Sequence, residues 1–179
     1  MDLLPNERQD VRFMKLALAE AERAANRGEV PVGAVVTRGD EVMGRGYNRR
    51  EELRSPLAHA ETAAIDEAAR AMQSWRLTEC TLYVTLEPCI MCVGAILQAR
   101  LQRLVFGCLD RKAGAVESLY RMCDDPRLNH RLPVQSGVLA EECALILGDF
   151  FSRLRENKLL RRDTERWPSP VEGARLEIV

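Results

Sequence analysis

An excess of either charge, a long apolar run and a dense set of cysteines are all missing from this 179-residue chain, and each absence removes a class of protein. Twenty-six lysines and arginines against 27 aspartates and glutamates leave a net charge of −1. That balance excludes a globally basic nucleic-acid binder but leaves room for a local basic patch. No stretch approaches eighteen consecutive apolar residues, so no membrane span is expected. The segment Met1 to Arg8 is charged and lacks the apolar stretch of a signal peptide. Six cysteines are too sparse for a disulfide-built scaffold, and with no export signal the expectation is reduced thiols in the cytoplasm. What is present is ordinary for a globular protein: 46% apolar residues, 30% charged ones, and enough chain for one core.

Apolar residues at Val11, Met14, Leu18, Ala21 and Ala25 step by three and four, which predicts an amphipathic helix ending near Gly28. Two extended stretches, Val30–Thr37 and Glu41–Asn48, flank Gly39-Asp40 and read as a hairpin. Residues 49–57 read as a charged loop, and alanine-rich 58–72 as a helix. Cys80–Leu86 reads as a buried strand, and Pro88 opens a helix that runs to about Arg100. Arg103–Cys108 is a further strand, a short helix is expected at 116–123, and a last strand at 133–139. A final helix carries Ala140, Ala144, Leu147, Phe151 and Leu154 on one face. Strands alternating with helices predict an α/β fold, a three-layer α/β/α arrangement whose mixed central sheet begins with an antiparallel hairpin. Helix 89–100 is apolar nearly all round, which suits either the centre of the core or a subunit interface. From Phe150 to Arg166 six basic side chains stand against three acidic ones; a solvated helix end accounts for them, as does a phosphate-binding one. The expected domain covers residues 1–163, and prolines and a glycine in 164–179 predict a poorly ordered tail.

Two short motifs carry chemistry: His59-Ala60-Glu61 and Pro88-Cys89-Ile90-Met91-Cys92. Cysteines three apart on one helical turn can point at a single ion, and thiolates with imidazole suit zinc. Helix starts favour the thiolate form that metal binding requires. A structural zinc takes four protein ligands, whereas one histidine and two cysteines make three. The open fourth position suits a water that zinc acidifies, so three ligands point to catalysis. His-x-Glu alone is weak, while Pro-Cys-x-x-Cys arises by chance in such a chain on the order of once in a hundred. Glu61 beside such a water reads as a proton carrier, although an acid in the first turn of a helix also suits the dipole. Cys80, Cys108, Cys123 and Cys143 lack metal spacing and read as core or surface thiols.

His-x-Glu with Pro-Cys-x-x-Cys is the signature of the zinc nucleobase deaminases. Further segments, Glu29–Val35, Gly46–Arg49, Thr81–Cys89, Val105–Gly107 and Leu128–Arg131, resemble the bacterial tRNA adenosine deaminases in the same order over about residues 10–160. The resemblance implies a cytidine-deaminase-like fold, a homodimer, one zinc per subunit, and hydrolysis of the wobble adenosine of a tRNA anticodon to inosine with release of ammonia. By position it implies that His59, Cys89 and Cys92 hold the zinc, that Glu61 shuttles protons, and that Asn48 hydrogen-bonds the target base. It also implies contacts of Asp110, Lys112, Asn129, His130, Phe151 and Arg153 with the anticodon stem-loop. Adjacent residues on a helix point about 100° apart, so one of Phe150 and Phe151 can face RNA while the other packs inward.

Two other readings stand beside this one. A small-molecule deaminase of guanine, cytosine or a nucleoside would share the zinc motif; Asn129-His130-Arg131 and the basic last helix weigh towards RNA. A non-catalytic zinc-stabilised RNA-binding subunit would dispense with the glutamate, and Glu61 is present.

Overall fold

In the computed structural model residues 5–164 are described, with side chains from 6 to 157. Helix α1 (Pro5–Ala25) leads into strands β1 (Gly33–Arg38) and β2 (Glu41–Tyr47), a single turn of helix α2 (Arg50–Leu53), and helix α3 (Ala60–Ala71). Strand β3 (Cys80–Leu86), helix α4 (Ile90–Gln98) and strand β4 (Arg103–Cys108) follow, then a 3₁₀ turn at Met122–Asp124, strand β5 (Val134–Gln135) and helix α5 (Ala140–Thr164). The sheet order is β2-β1-β3-β4-β5. β1 is antiparallel to β2 and β3, while β3, β4 and β5 run parallel, so the sheet is mixed and opens with the expected hairpin.

Strand alternation decides which helix lies on which side. Val35, Tyr83 and Val105 are register partners on three neighbouring strands, and they pack with Phe13, Met14 and Ala17 of α1 and Cys143 of α5. Their neighbours Ala34, Val36, Leu82, Val84, Leu104 and Phe106 face the other way, onto Ala60, Ala64 and Ala68 of α3 and Val93 and Ile96 of α4. Helices therefore cover both faces, giving the three layers expected. A buried ion pair pins α1 to the sheet: Arg103 donates twice to the Asp10 carboxylate at 2.7 Å, and Tyr83 donates its hydroxyl to the same group at 3.1 Å. Helix α4 is buried at Cys92, Val93, Ile96 and Leu97, yet leaves Ile90 half exposed.

Three expectations shift. The helix expected at 116–123 is absent: the Leu119 N–H donates to the Gly114 carbonyl at 3.0 Å and the Met122 N–H to the Ala115 carbonyl at 3.2 Å, five and seven positions back where an α-helix needs four, while Val116, Glu117 and Ser118 donate to the Glu87 carboxylate. Only the 3₁₀ turn at its end remains. The strand expected at 133–139 shrinks to Val134–Gln135, with Gly137 at φ +83° bending the chain out of the ladder. The charged loop 49–57 contains the turn α2, where Arg49 pairs with Glu52 and the Glu52 N–H donates to the buried Glu29 carboxylate at 2.7 Å. The tail expected to be poorly ordered lies, beyond Thr164, outside the described residues.

Close helix–sheet contact rests on glycine. A Cβ on Gly46 would sit 2.1 Å from the Ala60 carbonyl oxygen and 2.6 Å from the Ala64 nitrogen, both backbone of α3. Gly46→Ala is therefore expected to push the start of α3 off the sheet and to destabilise the protein by about 2 kcal/mol or more. Thermal unfolding of the two proteins side by side checks this.

Candidate metal centre and the cavity above it

Two helices begin on a ligand. His59 is the residue before α3 and Cys89 the residue before α4, both in extended conformation, and their carbonyls accept the first helical hydrogen bonds from Ala63 at 3.1 Å and Val93 at 2.9 Å. Thr62 secures the first start by donating its hydroxyl to the carbonyls of Leu57 at 2.7 Å and His59 at 2.9 Å. Cys92 stands one turn into α4, on the face that turns towards Cys89. Both helix N-termini thus point their free N–H groups at one spot, a field that favours thiolate.

The three donor atoms lie within 4.8 Å of one another. His59 Nδ1 is 3.8 Å from Cys89 Sγ and 3.4 Å from Cys92 Sγ. Zinc bonds of about 2.3 Å to sulfur and about 2.0 Å to nitrogen, at the tetrahedral angle, separate N and S by about 3.6 Å. The donor set fits zinc in both chemistry and spacing. Without the ion, the hydrogen bonds from Cys92 and His59 pull the Cys89 thiol down to about 3, so it is a thiolate. Donation to Cys89, with burial added, pushes the Cys92 thiol up and keeps it protonated. The bond to Cys89 likewise raises His59.

Glu61, in the first turn of α3, is buried against this set. Burial raises its pKa above the ordinary carboxylate range, against a backbone hydrogen bond and His59, which lower it. A carboxyl so placed beside the three donors can accept a proton and pass it on.

A cavity of about 580 Å³ opens above the three donors, and its wall includes His59, Glu61 and Cys89. Asn48, Asp110, Lys112 and Phe151 line it too, so the structure brings four of the expected substrate residues to the metal centre. Asn48 is buried and donates Nδ2 to Glu29 Oε2 at 3.2 Å, which fixes the amide plane. Phe151 is 41% exposed and meets Phe150 edge-on at 5.5 Å, so it is Phe151 that faces the opening. Three expected residues are elsewhere. Asn129 accepts from Arg100 Nη1 at 3.0 Å, and His130 donates Nε2 to the Leu101 carbonyl at 2.9 Å, both beyond the far end of α4. Arg153 lines a separate groove of about 330 Å³ between the end of α1 and α5. Sequence reading gave no role to Glu29 and Glu87, the buried acids that organise the cavity walls. The signal available was an acid directly beside an apolar run, Val30-Pro31-Val32 in one case and Thr85-Leu86 in the other.

Zinc uptake must displace the protons on Cys92 and, below its raised pKa, on His59. Affinity is therefore expected to rise about tenfold per pH unit for each proton displaced. Chelator competition at pH 6 and pH 8 reads this out, with weaker zinc binding at pH 6. Serine at position 89 or 92, or alanine at 59, should leave the chain without stoichiometric zinc.

Residues 7–108 match the family model for the cytidine and deoxycytidylate deaminase zinc-binding region. The chain is 46% identical over 154 residues to the tRNA-specific adenosine deaminase of Bacillus subtilis, covering 86% of this chain and 96% of that protein. Its identity to the enzyme of the same name from Haemophilus influenzae is 47% over 154 residues, or 86% and 89% of the two chains. A solved structure from a study of A-to-I editing by tRNA:A34 deaminases at the wobble position superposes with a TM-score of 0.73 at 48% identity, over 76% of this chain and 99% of that one. A guanine deaminase from Nitrosomonas europaea shares the fold at a TM-score of 0.65 and 21% identity, over 83% and 93%. With its His-Cys-Cys set matching the family's zinc-binding region, this chain belongs to the zinc-binding cytidine and deoxycytidylate deaminase family, among the tRNA-specific adenosine deaminases.

Proposed function

We propose that this protein deaminates the wobble adenosine of a tRNA anticodon hydrolytically, converting adenosine and water to inosine and ammonia. The observation that carries the reading is Glu61, a buried carboxyl beside three zinc donors on the floor of a cavity large enough for a nucleobase. The relatives named as tRNA-specific adenosine deaminases support the substrate. A zinc ion held by His59, Cys89 and Cys92 would supply the Lewis acidity that makes water nucleophilic near neutral pH.

The remaining chemistry belongs to side chains. Adenine C6 is a weak electrophile until N1 gains a proton. Glu61 takes a proton from the attacking water and delivers it to N1; it then takes the second proton from the hydroxyl now on C6 and gives it to the departing amine as the C6–N bond breaks and the C6 carbonyl forms. The Asn48 amide, with one N–H engaged by Glu29, keeps its oxygen and second N–H for the edge of the base. Asp110, Lys112 and Phe151 serve the nucleotides next to the target. Asn129, His130 and Arg153 serve the anticodon loop and stem farther out. A splayed loop base reaches such a pocket at lower cost than a base in a duplex.

The unit that does this is residues 1–163, and it works as a homodimer. Leu57, Ile90, Leu119 and Tyr120, each half exposed or more, flank the ligand-bearing segments and give a second copy an apolar face to cover. A tRNA substrate sets the work in the cytoplasm. No helix among the described residues is long and apolar enough to cross a membrane.

Zinc-loaded protein incubated with an anticodon stem-loop RNA bearing adenosine at the wobble position, beside free guanine, cytosine, adenosine and cytidine, should yield inosine in the RNA alone. Turnover of a free base or nucleoside in place of the RNA overturns the substrate. Glu61→Gln should keep its zinc and lose about 100-fold or more in rate. A Glu61→Gln protein that deaminates at near the original rate removes Glu61 from the proton path.

A further inference from the structure

The wall of the cavity opposite Asn48 is a loop, and one buried carboxylate holds it. Glu87 is 2% exposed and accepts hydrogen bonds from both ends of the segment 110–118. Oε1 accepts from the N–H groups of Val116 at 3.1 Å, Glu117 at 2.7 Å and Ser118 at 2.9 Å. Oε2 accepts from the Asp110 N–H at 3.0 Å and from the Ser118 hydroxyl. All five donors are neutral, and three are successive backbone amides converging on one oxygen, the arrangement of an anion nest formed within the chain. Between these anchors the loop folds on itself. The Asp110 side chain accepts from the N–H groups of Lys112 at 2.9 Å and Ala113 at 3.2 Å, and the Asp110 carbonyl accepts from Gly114 at 2.8 Å. Gly114 lies so close that a Cβ there would be 2.3 Å from Glu87 Oε2.

We infer that Glu87 is a positioning residue for substrate: its carboxylate fixes the loop that presents Asp110 and Lys112 to the nucleic acid at the mouth of the cavity. The inference rests on the RNA reading above. Glu87 borders the cavity, and the hydrogen bonds to its carboxylate all come from the loop. Its five partners require a group that only accepts, and a carboxylate offers about four lone-pair sites without a proton. The amide of glutamine has the same size, but its NH₂ would confront two or three N–H and O–H donors. The loop would then detach at one end, while the bond from the Ala115 N–H to the Pro88 carbonyl at 2.9 Å keeps it tethered at its middle. The three zinc donors come from the starts of α3 and α4, and the loop meets Cys89 through the backbone bridge at Gly114, beside the Ala115–Pro88 bond that the substitution leaves in place.

The test compares the zinc-loaded protein with its Glu87→Gln and Ser118→Ala variants, the second removing only the hydroxyl contact. Amide hydrogen exchange, zinc content and steady-state kinetics on the anticodon stem-loop are measured for each. In Glu87→Gln, exchange across 110–118 should quicken at least about tenfold with the sheet unchanged, zinc should stay stoichiometric, and KM for the RNA should rise about tenfold with kcat held within about threefold. Ser118→Ala should move exchange and KM the same way by a smaller factor. Unchanged exchange in the loop, an unchanged KM, or a loss of kcat that tracks loss of zinc overturns the positioning role. If the unmodified protein leaves the stem-loop unreacted, the RNA reading falls and takes this inference with it; if it reacts and KM is indifferent to Glu87, this inference falls alone.

Discussion

Two helix starts meeting at one point is the constraint from which the rest of the site follows. A thiolate and an imidazole can be brought together in many ways, but here each is the residue before a helix, so its backbone is fixed by the first hydrogen bonds of that helix. The sheet then fixes the helices. β3 delivers Cys89 directly from its end, through Leu86-Glu87-Pro88, and the parallel pairing of β3 with β4 places α4 as the crossover between them. Helix α3 reaches the same point by lying against β2, and it does so because Gly44 and Gly46 leave its backbone free to touch the strand. Asn48, two residues beyond Gly46, is carried to the cavity by that contact.

Around this centre the buried acids act by accepting hydrogen bonds. Glu29 accepts from the Asn48 side chain and the Glu52 backbone, and so joins the end of β2 to the turn α2. Glu87 accepts from both ends of the loop 110–118 and joins it to the end of β3. Each closes one wall of the cavity. Buried carboxylates without a cationic partner are costly unless hydrogen bonds satisfy them, and these two are satisfied largely by backbone N–H groups. Glu61 differs in its place beside the zinc donors, where burial raises its pKa against a backbone hydrogen bond and one with Cys92.

The layers, the mixed sheet and the zinc donors were legible in the sequence because each rests on a local pattern. A run of strand-forming residues marks β3, proline marks the start of α4, and the spacing of Cys89 and Cys92 is itself the geometry of one helical turn. The face of α1 was only partly legible. Of its expected stripe Val11, Met14, Leu18, Ala21 and Ala25, Met14 and Ala21 are fully buried, and Phe13, Ala17 and Ala24 complete the buried face. The cause lies far along the chain: a Cβ on Gly33 would sit 2.1 Å from the Ala17 carbonyl oxygen, so the alanine side of α1 settles on that glycine. The missing helix at 116–123 has the same character. Its chain is folded back on the loop, with Leu119 bonded to Gly114, Met122 to Ala115, and three amides held by the carboxylate of Glu87, some thirty positions earlier.

The placement of the basic and polar residues divides what a nucleic acid meets. Asp110, Lys112 and Phe151 stand on the cavity, within reach of a base inserted there, whereas Arg153 faces a separate groove and Asn129 and His130 are engaged beyond the opposite end of α4. A free base would fill the cavity and touch only the first group. An RNA hairpin is larger than the cavity, and on the proposed reading a phosphate contact at Arg153 would add affinity that salt weakens. In a chain whose net charge is −1, attraction to phosphate would have to come from a local basic patch. On the proposed reading, selection between a small molecule and an RNA would be made outside the catalytic floor, by residues that the metal chemistry leaves unconstrained. The same zinc-bearing floor can on this account serve relatives with different substrates, since the loops and the last helix around it are what a substrate first meets.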